Sequence, residues 1–296
     1  MSNPAVTARP EKGKSASGEL ARQKTLRIVV CAFLCVLSLL PFLMLFVNAT
    51  RDSNAIKAGI TLLPGSHLLE NIATLQKKSQ GLGIDFLHAM LNSFKIAVPA
   101  TFLSVYFSAM TAYGIYVYNF RLKKAAWTFI LAVMIVPNTV AAIGFYRFML
   151  RLGLADSYVP LIIPTMAAPA VVFFMHQYFQ STLSLEMIEA ARIDGSGEWH
   201  TFNRIVVPIA RPALATQAIY QFIASWNNLF TPTLILSSDA KKTLPMFVQI
   251  LKSDQFKTDY GVVYLGLAAT ILPLFVVYFL LSKYIVAGVA LGGVKE

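Results

Sequence analysis

The chain is poor in charge: Asp, Glu, Lys and Arg make up 13% of its 296 residues, about half of what soluble domains carry. That deficit excludes an ordinary soluble protein and makes lipid the solvent for much of the surface. Cysteine is equally scarce. Cys31 and Cys35 stand four apart in one apolar run, which is neither a disulfide framework nor a zinc site, so both read as packing residues. The four histidines, His67, His88, His176 and His200, are isolated. None sits in an H-E-x-x-H or H-x-x-E-H context, and no G-x-S-x-G is present. A polytopic membrane enzyme therefore lacks its nucleophile, base or metal set, and no catalytic or metal-ligating residue is expected. No G-x-x-x-x-G-K-[ST] loop is present either, so the chain cannot hydrolyse ATP itself. A self-driven secondary transporter would show an intramembrane carboxylate or inverted repeats, and neither is found.

Apolar sequence takes the place of charge. Hydrophobic residues reach 56% and mean hydropathy is +0.62. Six runs contain no charged residue: Ile28–Thr50, Ile96–Phe120, Ala125–Tyr146, Ser157–Leu185, Pro212–Ser238 and Tyr260–Ser282. About 20 helical residues cross a hydrocarbon core of roughly 30 Å, and within lipid only a helix satisfies its own backbone without strand partners. The expectation is an all-α polytopic membrane protein with six spans, at about 28–48, 92–118, 125–147, 158–180, 213–236 and 262–284, within a domain covering 25–296. "VNA" at Val47 to Ala49 resembles a cleavage site. The first apolar stretch nevertheless exceeds the roughly 7–15 residues of a signal-peptide core, so an uncleaved signal-anchor is expected. Residues 1–24, rich in Ser, Gly, Pro, Ala and Lys without apolar period, read as a disordered basic tail.

Net charge is +11. The cations are scattered between apolar runs without a nucleic-acid motif, so membrane lipid rather than nucleic acid is the expected contact. Arg9, Lys12, Lys14, Arg22, Lys24 and Arg27 in the tail, and Arg121, Lys123 and Lys124 in a tight turn, put both ends of the chain in the cytoplasm. Lys241, Lys242, Lys252 and Lys257, and Arg51, Lys57, Lys77 and Lys78, fall in outer loops and weigh against that assignment; the tail and the turn are given precedence because the first span usually dominates. Residues 184–208 then form a cytoplasmic loop and 237–261 an extracytoplasmic one.

The cytoplasmic loop, "EAARIDGSGEWHTFNRIVVP" from Glu189 to Pro208, is a charged, glycine-broken stretch amid lipid-compatible sequence. Ser184 reads as an N-cap with Glu186 in the first turn. Gly195 can take the left-handed conformation that ends a helix. Ser196 reads as the cap of a second helix, with Glu198 in its first turn and Trp199, Phe202 and Val206 on one face, and Pro208 and Pro212 re-aim the chain. On residues alone two readings stand: an amphipathic loop resting on headgroups, or a docking knob for a cytoplasmic partner.

The spacing in this stretch resembles the signature of the membrane subunits of binding-protein-dependent ABC importers: E-A-A, three residues, G, nine residues, I-x-L-P. Glu189-Ala190-Ala191, Gly195 and Ile205-Val206-Val207-Pro208 keep both intervals, with Val207 where leucine is usual. "NSFKIA" (Asn92 to Ala97), "AYGIYVYNFRLKK" (Ala112 to Lys124), "WNNLFTPTLIL" (Trp226 to Leu236), "KKTLP" (Lys241 to Pro245) and "GVALGGVKE" (Gly288 to Glu296) resemble, in order, further segments of the sugar-importing branch, in particular the second permease of maltose-type systems. In the turn, Tyr116 replaces an expected basic or small residue and a glycine is missing.

The resemblance implies a six-helix permease fold in the bacterial inner membrane and a second homologous permease subunit. It implies a cytoplasmic ATPase dimer that binds ATP and Mg, an extracytoplasmic solute-binding protein, and a sugar or oligosaccharide as substrate; the chain itself would hold no cofactor. It implies that Glu189, Ala190, Ala191, Arg192, Asp194, Gly195, Trp199, Phe202, Ile205 and Pro208 couple to the ATPase. Lys241, Lys242, Thr243, Leu244 and Pro245 would face the binding protein. A glycerol phosphodiester or another small metabolite is the alternative solute.

Polar groups within the spans are costly and often functional. Asn92, Asn138, Gln221, Trp226, Asn227 and Asn228 are the candidates for a substrate pathway, since an aromatic ring covers a sugar face and amides bond hydroxyls. Helix–helix hydrogen bonding is the competing reading, as it is for Gln217.

Overall fold

The apolar runs are helical in the computed structural model, which describes residues 13–253 and 258–292, with side chains placed over 22–137, 140–253 and 258–284. Helix α1 (Gly13–Ala49) carries the first run. It starts upstream of the lipid-compatible stretch, so residues 13–24, expected without structure, are helical. The sequence Glu19-Leu20-Ala21-Arg22-Gln23-Lys24 consists of strong helix formers, and the last proline before it is Pro10. The rest of the expected tail, and the C-terminal residues 293–296, lie outside the described residues.

Two helices follow α1: α2 (Ser53–Ala58), capped by the Asp52 carboxylate, which accepts from the backbone N–H groups of Asn54 and Ala55, and α3 (Leu68–Gly81). Helix α4 (Phe86–Val117) follows, opened by Asp85, whose side chain accepts from the backbone N–H of His88. Next come α5 (Lys123–Ile135) and α6 (Asn138–Arg151). The third run was expected to be one span. Pro137 divides it, because a residue before proline is pushed into extended conformation; Val136 has φ −72° and ψ 120°, and the two helices meet at 105°.

Helix α7 (Val159–Ile162), a 3-10 turn (Ile163–Met166) and α8 (Pro169–Thr182) together form one lipid-length segment. The charged loop contributes α9 (Leu185–Ile193), α10 (Glu198–Thr201) and α11 (Val207–Ile209). The fifth run is also interrupted. Helix α12 (Arg211–Trp226) stops at Asn227, and α13 (Phe230–Ile235) restarts where the Asn228 carbonyl Oδ1 accepts from the Thr231 backbone at 3.1 Å. Sixteen residues reach only about 24 Å, short of a roughly 30 Å core. Helices α14 (Leu244–Ser253) and α15 (Tyr260–Gly292) complete the chain. No strand occurs among the described residues. Among the described residues four helical segments are long and apolar enough to cross a membrane, five if the bent α5–α6 pair is counted as one span.

Helix α4 is the hub: α8 packs on one side of it and α12 on another, with α15 beyond α12. One apolar cluster joins the second half of α4 to α8 and to Ile188, Phe202 and Val206 of the charged loop. A second joins the start of α4 to α12, α14 and α15 around Trp226 and Phe247. Helix α1 leans on α15 through its C-terminal end, with Phe42 5.9 Å from Phe275, while Arg22 to Leu43 are exposed. Gly261 shows how tightly the outer side is stitched. The Asn71 amide donates to the carbonyls of Ala49 and Arg51 at 2.9 and 3.0 Å. A Cβ on Gly261 would collide with that Arg51 carbonyl and with the Asn71 amide.

Candidate functional site

The bend of the charged loop is built from backbone. Helix α9 ends at Asp194; Gly195 takes φ +81°, where glycine carries no Cβ penalty. Its N–H donates to the Arg192 carbonyl at 3.0 Å, and the Ser196 N–H donates to the Ala191 carbonyl at 2.9 Å. These are the paired bonds of a Schellman C-cap. Ser184 stands at the N-cap position, but its side chain makes no capping bond. The cap of α10 falls on Gly197 rather than on Ser196, whose hydroxyl pairs with that of Thr201 at 2.8 Å. After α10 the chain widens into a π-turn over Phe202–Val206, where the Val207 N–H reaches back to Phe202. Such turns often mark functional segments, and here the next residue, Pro208, brings no N–H of its own.

The loop sorts its residues into an inward and an outward set. Ile188, Ala191, Phe202 and Val206 are buried, and Ile205 and Pro208 are half-buried. Phe202 lies 5.4 Å from the Tyr113 ring and 5.7 Å from the Tyr106 ring, both on α4. Glu189, Ala190, Arg192, Asp194, Gly195 and Trp199 face outward. Ile193 is 86% exposed and Trp199 66%, so an apolar tip sits beside acidic residues. Trp199 was expected on the same face as Phe202 and Val206. Its ring is edge-on to Tyr106 at 6.3 Å, the same ring that Phe202 meets, but it is far more exposed than Phe202 or Val206.

Arg192 is spent inside the loop. Its Nε donates to Glu198 Oε1 at 2.8 Å, and its guanidinium lies 5.5 Å from the centre of the Tyr118 ring. Glu198 Oε2 accepts from the Tyr118 hydroxyl at 2.5 Å and the Tyr113 hydroxyl at 3.4 Å. The Tyr118 hydrogen bond first, and then the Arg192 guanidinium, hold the Glu198 carboxyl below the usual carboxylate range. The bond to Glu198 raises Arg192 in turn. Sequence reasoning placed Glu198 only as a first-turn acid and did not single out its partner, because Tyr118 lies 80 residues earlier. Tyr116, where the resemblance is broken, ties the same end of α4 to the loop by donating to the Leu183 carbonyl at 2.9 Å. Lys123 of the basic turn donates to the carbonyls of Tyr116 and Tyr118 at 3.2 and 3.0 Å, a cation at a helix C-terminus.

The candidate pathway residues do not converge. The Asn92 amide donates to the carbonyls of Ala240 and Lys242 at 2.8 and 3.1 Å, a strap on the outer loop. Trp226 is 1% exposed; its Nε1 donates to the Thr270 carbonyl at 2.9 Å and its ring packs 4.6 Å from Phe94. Gln221 accepts from the Ser104 hydroxyl at 3.4 Å. Asn227 is exposed, and the Asn138 side chain lies outside the described residues. Asn228 lines a cavity of about 410 Å³, with Ser225, Thr165 and Thr231 among its polar walls and Pro160, Pro164 and Pro232 among its apolar ones.

The outer-loop set is largely engaged as well. Lys241 pairs with Asp156 at 2.9 Å and Lys242 with Asp239 at 2.6 Å. Thr243 and Leu244 are buried, Pro245 is half-buried, and the Leu244 N–H donates to the Ser93 hydroxyl at 2.9 Å. Among the described residues no group of three or more His, Cys, Asp or Glu is placed to hold a metal ion.

A helical membrane domain with a bent charged loop stapled to the end of its hub helix is a layout compatible with a transport permease. The chain belongs to the family of binding-protein-dependent transport system inner membrane components, whose model matches residues 100–290 and so takes in the charged loop. It is 32% identical over 267 residues to the arabinooligosaccharides transport system permease protein AraQ of Halalkalibacterium halodurans, covering 89% of this chain and 94% of that protein. It is 29% identical over 266 residues to the lactose transport system permease protein LacG of Rhizobium radiobacter, covering 90% and 94%. It is 31% identical over 253 residues to the sn-glycerol-3-phosphate transport system permease protein UgpE of Escherichia coli, covering 84% and 90%. A chain in the crystal structure of a bacterial ABC transporter involved in the import of the acidic polysaccharide alginate superposes with a TM-score of 0.74 at 23% identity. The match covers 93% of this chain and 99% of that one, and the likeness is one of fold. The chain is thus a multi-pass ABC permease subunit and not an enzyme.

Proposed function

We propose that this chain is one of two permease subunits of an ATP-driven importer of sugars or oligosaccharides. It would pair with a second homologous permease and receive solute from an extracytoplasmic binding protein. Its loop from Glu189 to Pro208 would seat in a cytoplasmic ATPase dimer that binds ATP and Mg. Both termini then face the cytoplasm and residues 237–261 the outside, an orientation supported by the cations of the N-terminal segment and of the turn at Arg121 to Lys124. The observation that carries the reading is the exposed tip of the loop. Ile193 and Trp199 stand in the open beside Glu189 and Asp194, while Ile188, Phe202 and Val206 anchor the loop in the apolar cluster with α4 and α8. A resting place on anionic headgroups would not favour those carboxylates; a cleft on a partner protein accommodates both kinds of group. The small, exposed residue at 190 permits close approach. Asn228, one of the few polar groups on the wall of its cavity, is the pathway residue this reading favours.

The sugar reading draws on the arabinooligosaccharide and lactose permeases among the relatives. A glycerol phosphodiester or other small metabolite is the second reading, favoured by the similarity to a glycerol-3-phosphate permease. Proteoliposomes holding the complete complex, supplied with the binding protein and ATP, decide between them: labelled oligosaccharide accumulates under the first reading and labelled phosphodiester under the second. Uptake that proceeds without ATP or without the binding protein overturns both.

A further inference from the structure

Gly195, the pivot of the charged loop, has nothing within 4 Å of the place where a Cβ would stand. The bend therefore owes its stiffness to whatever ties its two arms together. The arms, α9 and α10, are joined by the Arg192–Glu198 pair at 2.8 Å. The same carboxylate leaves the loop altogether: its second oxygen accepts from the hydroxyl of Tyr118, the residue that ends α4, at 2.5 Å, and from Tyr113 one turn earlier at 3.4 Å. Arg192 closes the triangle by lying over the Tyr118 ring. One side chain thus meets both arms of the bend and the end of the hub helix, with an acceptor for each direction of load. Buried apolar contacts at Phe202 also join loop and hub, but such contacts are non-directional and permit sliding, whereas charge-assisted hydrogen bonds fix direction as well as distance.

We propose that Glu198 is a positioning residue for coupling, a strut that ties α9 to α10 through Arg192 and ties both to α4 through Tyr118. Displacement of the loop then reaches the span as one rigid motion instead of being absorbed at Gly195. This rests on the reading of the loop as the seat of the ATPase. The Tyr118 hydroxyl would transmit load through its bond to Glu198.

The test uses the complete complex in proteoliposomes with Glu198→Gln, Tyr118→Phe and the double variant; Tyr118→Phe removes one oxygen and keeps the ring. Two quantities are read: solute imported per ATP hydrolysed, and the yield of a cross-link from Ile193→Cys to the ATPase, which reports seating. The strut predicts unchanged seating and a drop in solute per ATP of about fivefold in each single variant, the order expected for one partly exposed charge-assisted bond. The double variant should fall no further, since the two groups share one bond. An unchanged ratio overturns the strut, as do additive losses. Loss of seating in the variants overturns it too, because Glu198 would then merely keep the loop folded. If the unaltered complex gives no cross-link, the reading of the loop itself fails.

Discussion

Asp156 and Lys241 meet at 2.9 Å, joining the turn after α6 to the segment after α13. Lys241 also donates to the Asp156 carbonyl oxygen, and the carboxylate accepts from the backbone of Ser237 and Ser238, both at 3.0 Å, and from the Ser238 hydroxyl. Asp156 takes φ +53° to reach all of these, a conformation that Asp tolerates better than most residues. One half-buried acid thus clasps the turn after α6 to the segment after α13.

The clasp should be insensitive to pH over the physiological range. The Ser238 hydroxyl first, then the Ser238 backbone and Lys241, hold the Asp156 carboxyl far below its ordinary value. A depressed carboxylate contributes stability that is fully present above the unfolded pKa of about 3.9 and is lost only as pH falls through the lower folded value. Amide exchange over Ser237 to Lys242, corrected for intrinsic rates, should therefore keep the same protection from pH 8 to pH 5. Asp156→Ala should lower that protection several-fold at every pH.

Gly195→Ala should destabilise the bend even though the added methyl meets no neighbour, because the left-handed backbone costs an L-residue about 1–2 kcal/mol. Gly195→Asn, which visits that region more readily, should lose less. Uptake and stimulated ATPase measured in the complete complex should rank glycine above asparagine above alanine, and an alanine variant equal to the parent would remove the backbone argument.

Trp226→Phe should cost stability without altering recognition. The indole N–H is bonded to Thr270 inside the second apolar cluster, and leaving that buried partner short of a donor costs about 1–3 kcal/mol. The melting temperature of the purified complex should fall while the solute concentration for half-maximal uptake stays constant. A changed concentration with unchanged melting would place Trp226 back in the pathway.

Asn228→Ala should show the opposite pattern. Its carbonyl caps α13 at 3.1 Å from the Thr231 nitrogen, so some stability is lost, about 1 kcal/mol. Asn228→Asp keeps the cap and changes the group facing the cavity. Uptake affinity or specificity should shift in both variants, and identical kinetics for both would remove Asn228 from the pathway.

Architecture was largely legible in the residues, and side-chain roles much less so. Charge-free length is enough to mark α4 and α15, because a lipid solvent forbids ionised groups in a way water does not. The bend at Gly195 is legible for a local reason: a left-handed residue between two amphipathic stretches leaves few alternatives to glycine. The break at Pro137 is visible as a proline, but whether a proline kinks a span or divides it is set by the packing around it. Trp226 illustrates the limit. An indole beside two amides looks the same whether it faces a pathway or the core, and only its fit against Phe94 and Thr270, far away in sequence, sends it inward. Asn92 and Lys241 are likewise claimed by long-range partners that no local pattern announces.

The most direct test of the account is made at Ile193, the most exposed apolar residue of the loop, replaced by cysteine in a chain whose Cys31 and Cys35 are changed to alanine. In inside-out membrane vesicles carrying the complete complex, Ile193→Cys should cross-link to the ATPase subunit, with a yield that changes when ATP is trapped. Labelling of Ile193→Cys by a membrane-impermeant thiol reagent applied to the outer face of intact cells, with no cross-link to the ATPase, would contradict it.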